Sequence, residues 1–285
     1  MLNTLKNWFC DKANWPRLIF GSSIFLVFLS FLLFYLIDLR NALGLRDWLF
    51  SVNPAYFYFT YTPFFFQHYG RNSGFVELLQ WGFLAGSIGL AGFLTGYYYL
   101  KEKWLSIFLG LMTATFILML FEDAGDIRHM LMSYIQLAAD EPDQGLWGTA
   151  FEGLYFAVLG GLPLYALVRY GRRLRDWSPT AFVYLVAGFI AHAIAASLSF
   201  VGTAFQGLLD KDLYTIMGEG LVALSYRLGD SALPAHWESW NQTNWLYQVG
   251  FYLMDSLIEE NLELIGYAAF LSCLTILHLQ IEKRD

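Results

Sequence analysis

Residues 18–37 read LIFGSSIFLVFLSFLLFYLI, an apolar stretch without a single charge that decides the fold class. A helix needs about 20 such residues to cross the hydrocarbon core of a bilayer. The polar run Asp38-Leu39-Arg40-Asn41 follows directly, with no cleavage site of small residues. We therefore expect a membrane helix that is retained in the protein rather than a signal peptide.

Further stretches share this apolar character. Together with the first, the predicted spans are residues 18–37, 75–100, 104–122, 148–169, 179–206 and 250–280. The composition agrees, because only 14% of the residues are charged, whereas a soluble domain carries about 25%. The sequence predicts an all-α, polytopic transmembrane helix bundle of about six spans, folded as a single membrane-embedded domain over residues 1–285.

Two long connections, about 38–74 and 207–249, are too apolar for solvated loops. The first is rich in Phe and Tyr, and the second has Leu, Ile and Met at helical spacing followed by three tryptophans. Such stretches are typical of helices lying at the membrane interface. We expect two interfacial helical segments on the extracytoplasmic side.

The orientation follows from the basic residues, because cytoplasmic segments carry an excess of Lys and Arg. With the N-terminus inside, 11 of the 17 basic residues lie on the cytoplasmic side, including Arg169, Arg172, Arg173 and Arg175. We therefore expect the cytoplasmic (inner) membrane, with both termini in the cytoplasm.

Ionisable residues interrupt several of the predicted spans. If one helix continues through Gly125, then Glu122, Asp126 and His129 fall on one face, within an arc of about 60°. In the last span Glu259 and Glu263 share a face, Asp255 lies at its edge, and Glu260 points about 100° away.

The other spans add acids and one histidine. Glu77 and Glu152 begin the second and fourth spans, and His192 lies near the middle of the fifth. In the predicted orientation the acids of all these helices lie at one depth, in the outer half of the bilayer, with His192 somewhat deeper.

Several carboxylates in a poor solvent need protons, a basic partner or a bound cation. Carboxylate and imidazole are the ligands of di-iron and di-manganese helix-bundle sites, although the paired Glu-x-x-His repeat of those proteins does not occur here. The sequence predicts one or two divalent metal ions (Fe, Mn or Zn). The candidate ligands are Glu122, Asp126, His129, Glu152, Glu259 and Glu263, with Glu77, His192, Glu260 and Asp255 as additional or supporting groups.

Structural roles compete with this prediction. Acids in a first helical turn, such as Glu77 and Glu152, also stabilise the helix dipole. Arg128 can neutralise one neighbouring carboxylate, and His192 can be a hydrogen-bonded packing residue. These alternatives stay open at the level of sequence.

The leading functional hypothesis is a metal-dependent membrane enzyme, a hydrolase or an oxidoreductase, acting on a hydrophobic or lipidic substrate. The alternatives are a cation or proton transporter or channel and a non-catalytic subunit with membrane-protein partners. The partners expected in every case include the lipid bilayer. The sequence contains no phosphate-binding glycine loop, so we expect no nucleotide cofactor. A net charge of −7 argues against nucleic acid as a partner.

Overall fold

The computed structural model describes residues 11–52, 75–125, 127–139, 146–204, 213–243 and 249–281. Every regular element in these ranges is helical, and six helices are long and apolar enough to cross a membrane. They are Lys12–Leu39, Val76–Tyr98, Lys103–Gly125, Gly153–Trp177, Pro179–Leu198 and Val249–Leu279. The chain is thus an all-α, polytopic integral membrane protein, which confirms the predicted fold class.

The helices are numbered here in chain order. They are α1 (Trp15–Leu33), α2 (Leu45–Val52), α3 (Phe75–Tyr98), α4 (Lys103–Gly125), α5 (Ile127–Ala139), α6 (Leu146–Trp177), α7 (Pro179–Ala204), α8 (Leu213–Leu228), α9 (Leu233–Thr243), α10 (Val249–Tyr252) and α11 (Glu260–Leu279). Two π-helical segments complete the first and last spans. They are Phe34–Leu39, which continues α1, and Leu253–Glu259, which joins α10 to α11.

The predicted spans agree with the helices to within a few residues, except at the end of the fourth. The prediction stops at residue 169, whereas α6 continues to Trp177 and carries exposed arginines on its last turns. An apolar pattern predicts only the part of a helix that lies in lipid. The backbone hydrogen bonds of the helix can continue beyond that part, where the side chains are polar. Pro163 lies inside α6 and does not end it.

The described parts of the long connections are mostly helical, with short turns at residues 40–41 and 229–232. α2 lies in the first connection, and α8 and α9 lie in the second. Residues 53–74, 205–212 and 244–248, which include most of the aromatic run of the first connection, lie outside the described residues.

The chain divides into two compact units, and the first comprises residues 1–21, 80–191 and 265–285. Its apolar core joins several helices, among which α4 packs against α6. Phe270 lies in this core, with its ring centroid 5.1 Å from those of Phe116 and Phe189. The space for it is left by Gly188, where a Cβ would lie 2.5 Å from the Phe270 ring.

The second unit comprises residues 22–79 and 192–264. α8 packs against α10 and against both π-helical segments. The closest approach is backbone to backbone, because a Cβ on Gly218 would lie 2.5 Å from the carbonyl oxygen of Gly250. Ser30 and Asn261 form a buried hydrogen bond of 3.1 Å between α1 and α11.

Candidate functional site

The candidate ligands are distributed over both units. The first unit contains Glu122, Asp126, His129 and Glu152, and the second contains Glu77, His192, Asp255, Glu259, Glu260 and Glu263. Asp126 and the side chains of His129 and Glu152 lie outside the described residues. Among the side chains that are described, no three of His, Cys, Asp and Glu stand together as a metal-binding group.

In the first unit, Glu122 at the end of α4 is bound to Arg128 on α5. The Nε atom of Arg128 donates a hydrogen bond of 2.6 Å to Oε1 of Glu122, and only 9% and 18% of the two side chains are exposed. The hydroxyl of Tyr155 donates a second hydrogen bond to Glu122, and the Arg128 guanidinium lies 5.0 Å from the ring centroid of Phe156. Glu122 therefore already has a basic partner and a neutral donor.

Glu122 also holds the start of α5. The backbone N–H of Arg128 donates to Oε2 of Glu122 at 3.3 Å. A side-chain oxygen that accepts a backbone N–H in this way is typical of the first turn of a helix. α4 is described to Gly125 and α5 from Ile127, and residue 126 between them lies outside the described residues. The predicted common face of Glu122, Asp126 and His129 therefore stays a prediction.

In the second unit, the acids of the last span coincide with its π-helical segment. Asp255 and Glu259 lie on Leu253–Glu259, and Glu260 and Glu263 occupy the first turn of α11. All four side chains are half-buried. π-helical turns are rare and are frequent at functional sites, and this one carries two of the candidate ligand residues, Asp255 and Glu259.

Glu77 and His192 belong to the same unit. Glu77 is a half-buried acid in the first turn of α3, where its charge also favours the helix dipole. His192 lies on α7 next to Ala191 and one turn before Ala195, both buried. The structural alternatives raised by the sequence therefore stay open for both residues.

The second unit also contains a buried charge cluster that the sequence analysis missed. Asp38 and Arg46 are both 0% exposed. Arg46 donates 2.9 Å from Nη1 to the carbonyl oxygen of Asp38, and its Nη2 donates 3.0 and 3.2 Å to the two carboxylate oxygens of Asp230. We call Asp38, Arg46 and Asp230 the arginine cluster. It joins the end of the first span to the loop between α8 and α9.

A tight turn brings Arg46 back to Asp38. Asn41 and Leu43 have left-handed backbone conformations, with φ of 46° and 57°. The Asn41 side chain accepts the backbone N–H groups of Arg46 at 2.9 Å and Asp47 at 3.3 Å, which caps α2. Asn tolerates the left-handed region well, so the Asn41 side chain and backbone together direct α2 against the end of the first span.

Asp230 connects this cluster to α9. Its Oδ1 accepts the backbone N–H groups of Ala232 at 3.1 Å and Leu233 at 2.9 Å, and its own N–H donates 2.8 Å to the carbonyl of Leu39. One aspartate thus binds Arg46, caps α9 and holds the loop to the first span. The available sequence signals were Gly229-Asp230 before a helix and the polar run that begins at Asp38, and neither indicates burial.

His236 on α9 lies beside this cluster. Burial, and secondly the Arg46 guanidinium, lower the pKa of His236 to about 4, although Asp47 and Asp230 act in the opposite direction. The folded protein therefore keeps His236 neutral at a pH at which the unfolded chain, with an ordinary value of 6.5, binds a proton. It follows that stability is fully present above about pH 6.5 and is lost as the pH falls toward about 4.

The direction of this pH dependence of stability can be tested. Between about pH 7.5 and about pH 5, the parent protein should lose more thermal stability in detergent than the His236→Gln variant, which cannot titrate there. Thermal unfolding at both pH values measures the difference. Equal losses in the two proteins would show that His236 does not contribute to the acid sensitivity.

The described geometry thus offers a capped ion pair in the first unit, and an acidic π-helical segment and a buried arginine cluster in the second. The ion pair neutralises its own carboxylate, while the acidic segment carries Asp255, Glu259, Glu260 and Glu263 along nine residues of the chain. Comparisons with protein-family models, with curated proteins and with solved structures found no match.

Proposed function

We propose that this integral membrane protein binds a divalent metal ion through the acidic start of its last span and acts as an enzyme on a hydrophobic substrate. The observation that supports this proposal is the position of Asp255 and Glu259 on a π-helical turn of an apolar span, followed at once by Glu260 and Glu263. No other described span has such a concentration of oxygen ligands.

The physical argument is the cost of like charges in a poor solvent. Four carboxyl groups within nine residues repel one another, and each ionised group at membrane depth costs several kcal/mol. A divalent cation removes this cost, because carboxylate oxygens are the ligands that hard divalent metals prefer. Glu77 and His192 of the same unit are the further ligands that we propose. Since no three of these described side chains already form a metal-binding group, the proposal requires them to come together when the ion binds.

The proposal assigns Glu122 a structural role instead. Its carboxylate is engaged by Arg128 and Tyr155, and a metal ion would have to displace a guanidinium 2.6 Å away. The roles predicted for Asp126, His129 and Glu152 stay predictions.

The proposed setting is the cytoplasmic membrane with both termini inside. The exposed arginines at the end of α6 support this orientation. It places the acidic start of the last span toward the outer face, where a lipidic substrate can reach it from the bilayer. A metal-bound water would supply hydrolysis, and a redox metal would supply oxidation.

Metal analysis of the purified protein tests the proposal. After equilibration with Fe²⁺, Mn²⁺ or Zn²⁺ and removal of loose ions, we expect at least about one equivalent per chain. The Glu259→Gln and Glu263→Gln variants should lose it. Asp176→Asn is the matched control, because Asp176 is an exposed acid paired with the neighbouring Arg175, and it should keep the metal. A parent protein that retains none of these ions would overturn the proposal.

A second function has one observation in its favour. The last span is interrupted by a π-helical segment and the first span ends in one, and both segments pack against α8. Interrupted spanning helices are common at the ion sites of transporters. If the parent retains no metal but conducts protons or cations into liposomes, and Glu259→Gln abolishes this flux, the protein is a transporter. Absence of both activities would favour a non-catalytic subunit.

A further inference from the structure

No basic side chain among the described residues forms a hydrogen bond with the carboxyl group of Asp38. Asp38 lies on the π-helical end of the first span with 0% of its surface exposed. Among the residues that the structure describes, neither Oδ1 nor Oδ2 accepts a hydrogen bond. An ionised carboxylate in that state is among the most costly arrangements in a protein interior.

The neighbouring arginine does not solve the problem. The Nη1 of Arg46 is bonded to the main-chain carbonyl of Asp38, and Nη2 is bonded to the carboxylate of Asp230. The Nε atom faces Oδ1 of Asp47 at 3.5 Å. The single positive charge of Arg46 therefore already interacts with two other carboxylates, those of Asp230 and Asp47.

The remaining charged and titratable groups on the neighbouring elements are also directed elsewhere. Arg40 donates 3.3 Å to the carbonyl of Leu228, and Asp47 accepts 2.7 Å from Asn41. On α8, Glu219 and Arg227 are exposed, and Tyr226 packs its ring 5.6 Å from that of Trp237. His236 on α9, whose pKa is lowered to about 4 chiefly by burial, is neutral at neutral pH.

With Asp38 and Asp230 both ionised, the arginine cluster would carry one uncompensated negative charge in a buried place. A proton is the smallest cation that removes this charge, and it needs no set of ligands around it. We propose that Asp38 is a proton-binding site, occupied at neutral pH, at the junction of the first span with α2 and α8. This proposal is independent of a metal on the last span.

Infrared spectroscopy of the full chain in lipid nanodiscs tests it. A protonated carboxyl group has a C=O stretch that is separate from the bands of a carboxylate. At neutral pH we expect such a band in the parent, its loss in Asp38→Asn, and its retention in Asp47→Asn. Asp47 is the matched control, because it is an exposed aspartate that also contacts Arg46.

Two results would overturn the proposal. The first is a parent spectrum that contains carboxylate bands only, which would mean that Asp38 is ionised and solvated by water. The second is a carboxylic-acid band that Asp38→Asn leaves unchanged, which would assign the proton to another residue. If Asp38→Asn does not fold, Asp38→Glu replaces it, and the band should then shift rather than persist at its original frequency.

Discussion

Replacement of Arg46 by methionine should lower the free energy of unfolding by about 3 kcal/mol, because removal of one partner from a buried ion pair leaves the other charge uncompensated. The side chain is 1% exposed and its partner Asp230 is 28% exposed, which places the estimate at the lower end of the usual range. The loss has a second cause, since the carbonyl of Asp38 loses its donor. Unfolding in detergent micelles, followed by circular dichroism, measures the change.

Arg40→Met is the matched control for Arg46→Met. Arg40 lies six residues earlier, is exposed, and makes one described hydrogen bond of 3.3 Å to the carbonyl of Leu228. Its loss should cost less than about 1 kcal/mol. Similar losses in the two variants would mean that the arginine cluster does not stabilise the fold through its buried charge.

The second large effect is expected at Gly218. A methyl group there would lie 2.5 Å from the carbonyl oxygen of Gly250 and 2.6 Å from its carbonyl carbon. These are backbone atoms, so no side chain can move aside, and α8 must shift away from α10. We expect Gly218→Ala to destabilise the protein by about 3 kcal/mol, at the upper end of the usual cost of overpacking.

Gly220→Ala separates this steric effect from helix propensity. Gly220 lies two residues further along the same helix, and a Cβ there would meet no described atom within 4 Å. Alanine should therefore stabilise α8 by about 0.5–1 kcal/mol. Thermal unfolding of both variants in the same detergent measures the contrast. If Gly218→Ala is as stable as Gly220→Ala, the close helix contact does not exist.

The spans could be predicted from the sequence because transfer into lipid depends on composition alone. The stretch 18–37 contains no charge, and the helix over Lys12–Leu39 includes all of it. The end of α6 could not be predicted in this way, because its final turns with Arg172, Arg173 and Arg175 are helical but polar. Neither π-helical segment could be predicted from hydrophobicity. An extra residue in one helical turn changes the backbone hydrogen bonds but not the composition of the span.

The close contacts between helices also could not be predicted from the sequence. The glycines of the second span repeat at small-residue spacing, yet of Gly82, Gly86, Gly89, Gly92 and Gly96 only Gly86 and Gly92 have described neighbours within 4 Å of the place that a Cβ would take. Gly188 and Gly218, which belong to no such repeat, have far closer neighbours. Tertiary packing decides which glycine is needed.

The candidate site was predictable only in part. The sequence identified Glu122 and raised Arg128 as its possible neutralising partner, and the structure joins them. The sequence did not single out Arg46, which lies in the first long connection. Its burial depends on Asp230, which lies 184 residues away along the chain, and no local pattern indicates a pairing over that separation.

The π-helical segment Leu253–Glu259 also sets a rotational phase. A π-helical turn fits one more residue than an α turn into about the same rotation. If the same seven residues took up α-helical geometry instead, the part before them would turn by about 100° relative to the part after them. Gly250 would then no longer face α8 while Asn261 faced Ser30. The wider turn of this segment, more than the identity of any side chain in it, keeps both contacts of the last span in register.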